Sequence, residues 1–171
     1  GRYRLNIAAK DLVGGNTTNF EMALEVPHLE DDRLGQSSLI LADMLEKVPT
    51  KSIGTGPFVI GTSKVRPRVG ESFSHDEKLG IYLQIYNFEP DEKTKKPDGT
   101  IEYVITKNGS NETVFEYTEE VSSVSGGAAQ VVIEKLLPLQ SLAPGQYTLR
   151  MKVVDKKRNQ TLTPSATFTV T

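Results

Sequence analysis

Cysteine and tryptophan are both missing from the 171 residues. Without cysteine there is no disulfide, no thiol nucleophile and no thiolate zinc site. Without tryptophan the largest aromatic stacking surface is gone. Histidine occurs only twice, leaving few positions for imidazole acid–base chemistry. A surplus of one charge is lacking too: 20 basic residues stand against 22 acidic ones, a net of −2, which offers no electrostatic footprint for nucleic acid. No apolar run approaches the roughly 18 residues a membrane-spanning helix requires, so membrane insertion is not expected.

What remains is 37% apolar and 25% charged, enough to fill a globular core. Domains of roughly 100–150 residues make the length one domain plus a remainder. The opening residues have no targeting-signal pattern. They alternate instead: Tyr3, Leu5, Ile7 and Ala9 fall on one face, Arg4, Asn6, Ala8 and Lys10 on the other, the period of a half-buried strand. Turn chemistry follows around Gly14-Gly15-Asn16, and then Phe20, Met22, Leu24 and Val26 alternate against Glu21, Ala23 and Glu25. The reading is a β-hairpin.

The C-terminal end repeats that hairpin. Gly1, Tyr3, Leu5, Asp11, Thr17 and Val26 match Gly145, Tyr147, Leu149, Asp155, Thr161 and Val170 at a constant offset of 144. The alternation is matched as well, which indicates two related β units, although generic strand patterning could produce a similar likeness. Before the second copy, Pro144, Gly145 and Tyr147 resemble the tyrosine corner of immunoglobulin-like and fibronectin III-like sandwiches, where a phenol bonds a backbone group just upstream. Further strands are expected at Phe58 to Val65, Glu71 to Phe73, Leu79 to Phe88, Ile101 to Thr106, Thr113 to Tyr117 and Ala129 to Leu136, with turn signals between them. The short apolar run Leu39-Ile40-Leu41 is read as strand in preference to helix.

The expected fold class is therefore all-β: an immunoglobulin/fibronectin III-like β-sandwich over residues 58–171, preceded by a hairpin and connector strand (residues 1–48) from a partial second sandwich. Residues 49–57 are expected to link them. A lone hairpin is marginal in water, so it should dock on neighbouring domains of the same polypeptide or on a second chain, and the chain should belong to a longer protein.

The Gly-x-Tyr-x-Leu hairpin, Ser37-Ser38-Leu39-Ile40-Leu41-Ala42-Asp43, Pro57-Phe58-Val59-Ile60-Gly61, Tyr82-Leu83-Gln84-Ile85-Tyr86-Asn87 and Leu137-Pro138-Leu139 before the corner resemble the C-terminal region of large exported proteins of acidobacteria and their relatives. Those proteins carry GWxTD or von Willebrand factor A-type domains. The GWxTD motif itself has no place in a chain without tryptophan, and no Asp-x-Ser-x-Ser motif occurs. The resemblance implies an exported, immunoglobulin-like module, extracellular, periplasmic or in the cell envelope, and brings no catalytic residues.

Other constellations are weak. His28 with Glu30, Asp31 and Asp32 supplies too few oxygens for calcium unless Asp11 or Asp43 joins them; a solvated acidic segment is expected, with no metal and no cofactor. His75 has no nucleophile elbow near it. The pairs Gly14-Gly15 and Gly126-Gly127 lack the spacing and lysine of a phosphate loop. Four Asn-x-Ser/Thr sequons, at Asn16, Asn108, Asn111 and Asn159, fall in expected turns and read as turn formers. The expected function is a non-catalytic structural or protein-interaction module. The alternative is a carbohydrate- or surface-ligand-binding module using Tyr82, Tyr86, Tyr103 and Tyr117 as an aromatic platform.

Overall fold

Alternating apolar residues become strands that recur from Arg2 to Val170. The computed structural model describes residues 1–126 and 130–171, so Gly127 of the second glycine pair and Ala129 at the head of one expected strand lie outside the described residues. Among the described residues the only helical turns are two short 3-10 segments, Thr50–Ser52 and Val121–Ser123. The chain forms two compact units, Gly1–Glu30 and Asp31–Thr171.

The first unit is a hairpin of β1 (Arg2–Lys10) and β2 (Thr17–Glu25), antiparallel over nine pairs. The second is a two-sheet sandwich. Its strands in chain order are β3 (Gly35–Gln36), β4 (Ile40–Lys47), β5 (Val59–Ile60), β6 (Ser63–Pro67), β7 (Ser72–Phe73), β8 (Lys78–Tyr86), β9 (Gly99–Lys107) and β10 (Glu112–Glu120). There follow β11 (Ser125–Gly126), β12 (Gln130–Pro138), β13 (Gly145–Asp155), β14 (Gln160–Leu162) and β15 (Ser165–Val170). One sheet runs β10-β9-β13-β15-β7, with β14 also on β13; the other runs β11-β12-β8-β4-β6-β5, with β3 also on β8.

The core lies between the sheets. Leu79, Ile81, Leu83 and Ile85 of β8 point inward, and Ile101, Ile105, Leu149, Val153 and Phe168 join the same cluster from the facing sheet. Residues two apart share a face, so each apolar register sends one row inward. The outer face of β8 is covered as well: Tyr82 packs with Ala42 and Val65 in a second, smaller cluster. Gly80 makes this possible, since a Cβ there would sit 2.9 Å from the Ala42 carbonyl oxygen, and β4 could not approach as closely.

Three expectations change. Residues 40–47 are not part of the hairpin unit. They pair with β8 and β6 inside the sandwich, so the connector strand is one of its own. Residues 49–57 consequently join two strands of one sheet and do not link domains. The stretch Phe58 to Val65 is two strands, because the chain turns back at Gly61 and β5 pairs with β6.

Candidate functional site

Among the described residues, the hairpin carries an apolar face that is left uncovered. Cross-strand pairing sets Tyr3 opposite Leu24, Leu5 opposite Met22 and Ile7 opposite Phe20. Paired residues share a face, so these six side chains form a single patch two strands wide. All six are exposed. The reverse face is polar: Arg4, Asn6, Glu21 and Asn19 fall on it, with an ion pair from Arg4 Nε to Glu21 Oε1 at 3.2 Å. The backbone ends are closed by Gly1 N donating to the Val26 carbonyl at 2.5 Å and Val26 N donating to the Gly1 carbonyl at 2.8 Å.

The hairpin register is the register of β13 with β14 and β15. Tyr147 opposes Phe168 and Leu149 opposes Ala166, the positions of Tyr3–Leu24 and Leu5–Met22 moved by 144. Asp155 opposes Gln160, and the Asp11 N–H donates to the Asn16 carbonyl at 2.8 Å, again the same pair moved by 144. The loops match too. Asp11 Oδ1 accepts from Val13 N at 2.9 Å, and Asp155 Oδ1 accepts from Lys157 N at 2.9 Å, both two residues on. Backbone N–H donors at Val13 and Gly14 hold the Asp11 carboxyl below its usual range. Six identities in the sequence thus become a shared hydrogen-bonding scheme.

At the second copy the Tyr147 hydroxyl donates to the Ala143 carbonyl at 2.6 Å, bridging the Pro144-Gly145 turn. Its ring stacks on Phe168 with centroids 5.6 Å apart. Burial pushes the phenol's pKa up. This is a core residue tying a strand entry to the loop before it.

The four tyrosines expected to share a platform do not. Tyr82 and Tyr86 are on β8 in one sheet; Tyr103 and Tyr117 are on β9 and β10 in the other. The reason is the long β8–β9 connection, which carries the chain across from one sheet to the other. Tyr82 is 2% and Tyr103 1% exposed, Tyr86 is half-buried, and Tyr117, at 48%, is open to solvent. Gln84 is bridged between the other pair, donating to the Tyr82 hydroxyl at 2.6 Å and accepting from the Tyr86 hydroxyl.

The remaining candidates are spent on structure. Asp43 accepts from Arg66 Nε at 2.6 Å and from Arg68 at 3.3 Å, and Arg68 also pairs with Glu77, so Asp43 is not grouped with the acidic residues at 30–32. The carbonyls of Asp31 and Asp32 accept from Arg158. Asn111 and Asn159 take left-handed φ of 55° and 53° in their turns. Asn108 Oδ1 accepts from the Thr148 hydroxyl at 2.7 Å. No group of three or more metal-ligating side chains occurs among the described residues.

No family model matches this chain, and no curated protein is similar to it. Solved structures share only partial geometry. A β-glucosidase from Listeria innocua in complex with glucose is 11% identical with a TM-score of 0.38, over 81% of this chain and 16% of its own. A family 123 glycoside hydrolase from Clostridium perfringens is 11% identical with a TM-score of 0.37, over 81% of this chain and 27% of its own. The chain thus spans well under a third of either enzyme.

Sequence reading overlooked one polar junction. The Tyr103 hydroxyl donates to Glu119 Oε1 at 2.7 Å, Lys135 Nζ reaches Glu119 Oε2 at 2.7 Å, and the same ammonium lies 5.7 Å from the Tyr117 ring centre. Lys135 is on β12 and Glu119 on β10, so the junction clasps the two sheets where no backbone pairing joins them. Burial first, then the hydrogen bond and charge of Glu119, push the Tyr103 pKa far above its ordinary value. A raised folded-state pKa means stability is fully present below the unfolded value near pH 10 and declines above it, at about 1.4 kcal/mol per pH unit. Alkaline urea titrations should show that decline, and Tyr103→Phe should remove one tyrosine's share of the slope.

Proposed function

We propose that this chain is a non-catalytic structural and protein-interaction module of a larger exported protein, and that it holds its neighbours through the apolar face of β1 and β2. The observation that carries the reading is the patch of Tyr3, Leu5, Ile7, Phe20, Met22 and Leu24: six large apolar side chains in cross-strand register, all exposed, backed by a polar face. A two-stranded hairpin is marginally stable alone, and three or more strands or a packed partner are needed to hold it. A contiguous exposed apolar surface of this kind supports an interaction role. The sandwich supports a scaffold role, since its converging charged groups are engaged with one another. Likeness to exported multidomain proteins supports the setting.

A photo-crosslinking residue distinguishes the two faces. Placed at Phe20 in the producing cell, it should form a discrete adduct, and placed at Glu21 on the reverse face it should form none. Equal labelling from both positions, or no adduct from either, would overturn the reading.

A further inference from the structure

The register points to what covers that face. We infer that β1 and β2 are the penultimate and last strands of a second sandwich built like Asp31–Thr171, and that the covering sheet is supplied by strands preceding them in the same polypeptide. The inference rests on the interaction reading above and names its partner.

Three observations carry it. The first is the pairing identity: seven of the nine hairpin pairs recur at the same offset in β13 with β14 and β15, the two exceptions falling at the break between β14 and β15, and the aspartate that caps the turn recurs as well. Register is strongly specified where one face is buried, because a slip of one residue would turn the whole apolar set to the wrong side. The hairpin keeps a register whose purpose, in the second copy, is burial.

The second is the fate of the equivalent side chains. Tyr3, Leu5, Ile7, Leu24 and Val26 correspond to Tyr147, Leu149, Met151, Phe168 and Val170, and all five of those are buried in one core with Leu79, Ile81, Leu83 and Ile85 of the facing sheet. In that unit β13 is flanked by β9 and β15 by β7, whereas among the described residues β1 and β2 pair only with each other. The missing partner is therefore a sheet with an alternating aliphatic inner face, together with edge strands. In the sandwich of this chain, every strand that does this work comes before β13 in sequence.

The third is area. Two nine-residue strands, at about 3.4 Å per residue and about 4.8 Å between strands, present a face of about 300 Å². Two copies meeting face to face would bury about 600 Å² in total by that measure, well short of the roughly 1,200 Å² at the lower end of stable interfaces. A covering sheet in the same polypeptide needs no such area, since it loses no translational or rotational freedom on docking.

Methionine oxidation reads the outcome. Met22 is 41% exposed on the hairpin face and Met151 is 2% exposed in the sandwich core, so each molecule carries its own control. Hydrogen peroxide should oxidise Met22 about twentyfold faster than Met151 in the 171-residue chain, in line with those exposures. In the natural full-length polypeptide Met22, whose counterpart Ala166 is partly buried against the core, should react several-fold more slowly than it does in the 171-residue chain. Met22 that stays fast there overturns the inference, as does a gene with no strand-forming sequence before Gly1. Protection that grows with concentration of the 171-residue chain alone also overturns it, in favour of a second copy. Fast Met22 combined with a Phe20 adduct to a separate protein would leave the interaction reading standing and sink only this inference; fast Met22 with no adduct would sink both.

Discussion

Asp155→Ala should lower the stability of the sandwich by about 3 kcal/mol, measured as a fall in urea midpoint at constant m-value. The carboxylate is fully buried at the end of β13. Its Oδ1 accepts from Lys157 N at 2.9 Å and Arg158 N at 3.1 Å, and its Oδ2 accepts from Glu89 N at 3.0 Å. One side chain thus holds the β13–β14 turn and the start of the long loop after β8. Hydrogen bonds to a charged group are worth about 1.5–3 kcal/mol each, and an unsatisfied donor costs about 1–3. The two turn donors can recover water, which leaves the total well below the sum for three bonds and close to the loss of the Glu89 donor's partner alone. Asp155→Asn keeps one acceptor oxygen and should lose less. Asp11→Ala, at the matching place in the exposed hairpin, should leave the sandwich transition where it is. A midpoint for Asp155→Ala equal to that of the parent would show that the buried carboxylate is not an anchor.

Gly99→Ala should cost about 3 kcal/mol as well, at the upper end of overpacking penalties, by a different route. Gly99 opens β9 and pairs with Asp155. A Cβ there would lie 2.0 Å from the Val154 carbonyl oxygen and 3.2 Å from the Val121 side chain. A backbone oxygen in a central strand pair cannot swing aside as a flexible side chain does, so β9 must part from β13 at that end. Combined with Asp155→Ala the two losses should fall short of additive, because both loosen the same joint and neighbouring sites couple. A neutral Gly99→Ala would mean that the strand end relaxes freely.

Much of this architecture was legible in the residues. Alternation in Tyr3 to Ala9, Leu79 to Ile85 and Tyr147 to Val153 marked the strands and which of their side chains share a face, because side-chain direction in a strand is set locally, residue by residue. The tyrosine near Pro144-Gly145 and the repeat at offset 144 were visible for the same reason. Asp155 was visible as a match to Asp11, but its burial was not, since one of its three donors lies 66 residues away at Glu89.

The allocation of strands to sheets was not legible. Ile40–Lys47 carries an apolar pattern that suits the hairpin's company as well as the sandwich's, and it joins the sandwich because Gly80 and Ala42 allow β4 to lie close against β8. Tyr82 and Tyr103 have similar surroundings in sequence and end in opposite sheets, because the chain crosses between them after Asn87. The candidate docking face was half legible: the sequence named its residues, and only the backbone pairing showed that Tyr3, Leu5 and Ile7 meet Leu24, Met22 and Phe20 in the register of a buried pair. Period-two patterning determines which side chains share a face. Which faces meet is decided by contacts between distant segments, where close backbone approach and complementary area select one pairing among many that the local pattern permits.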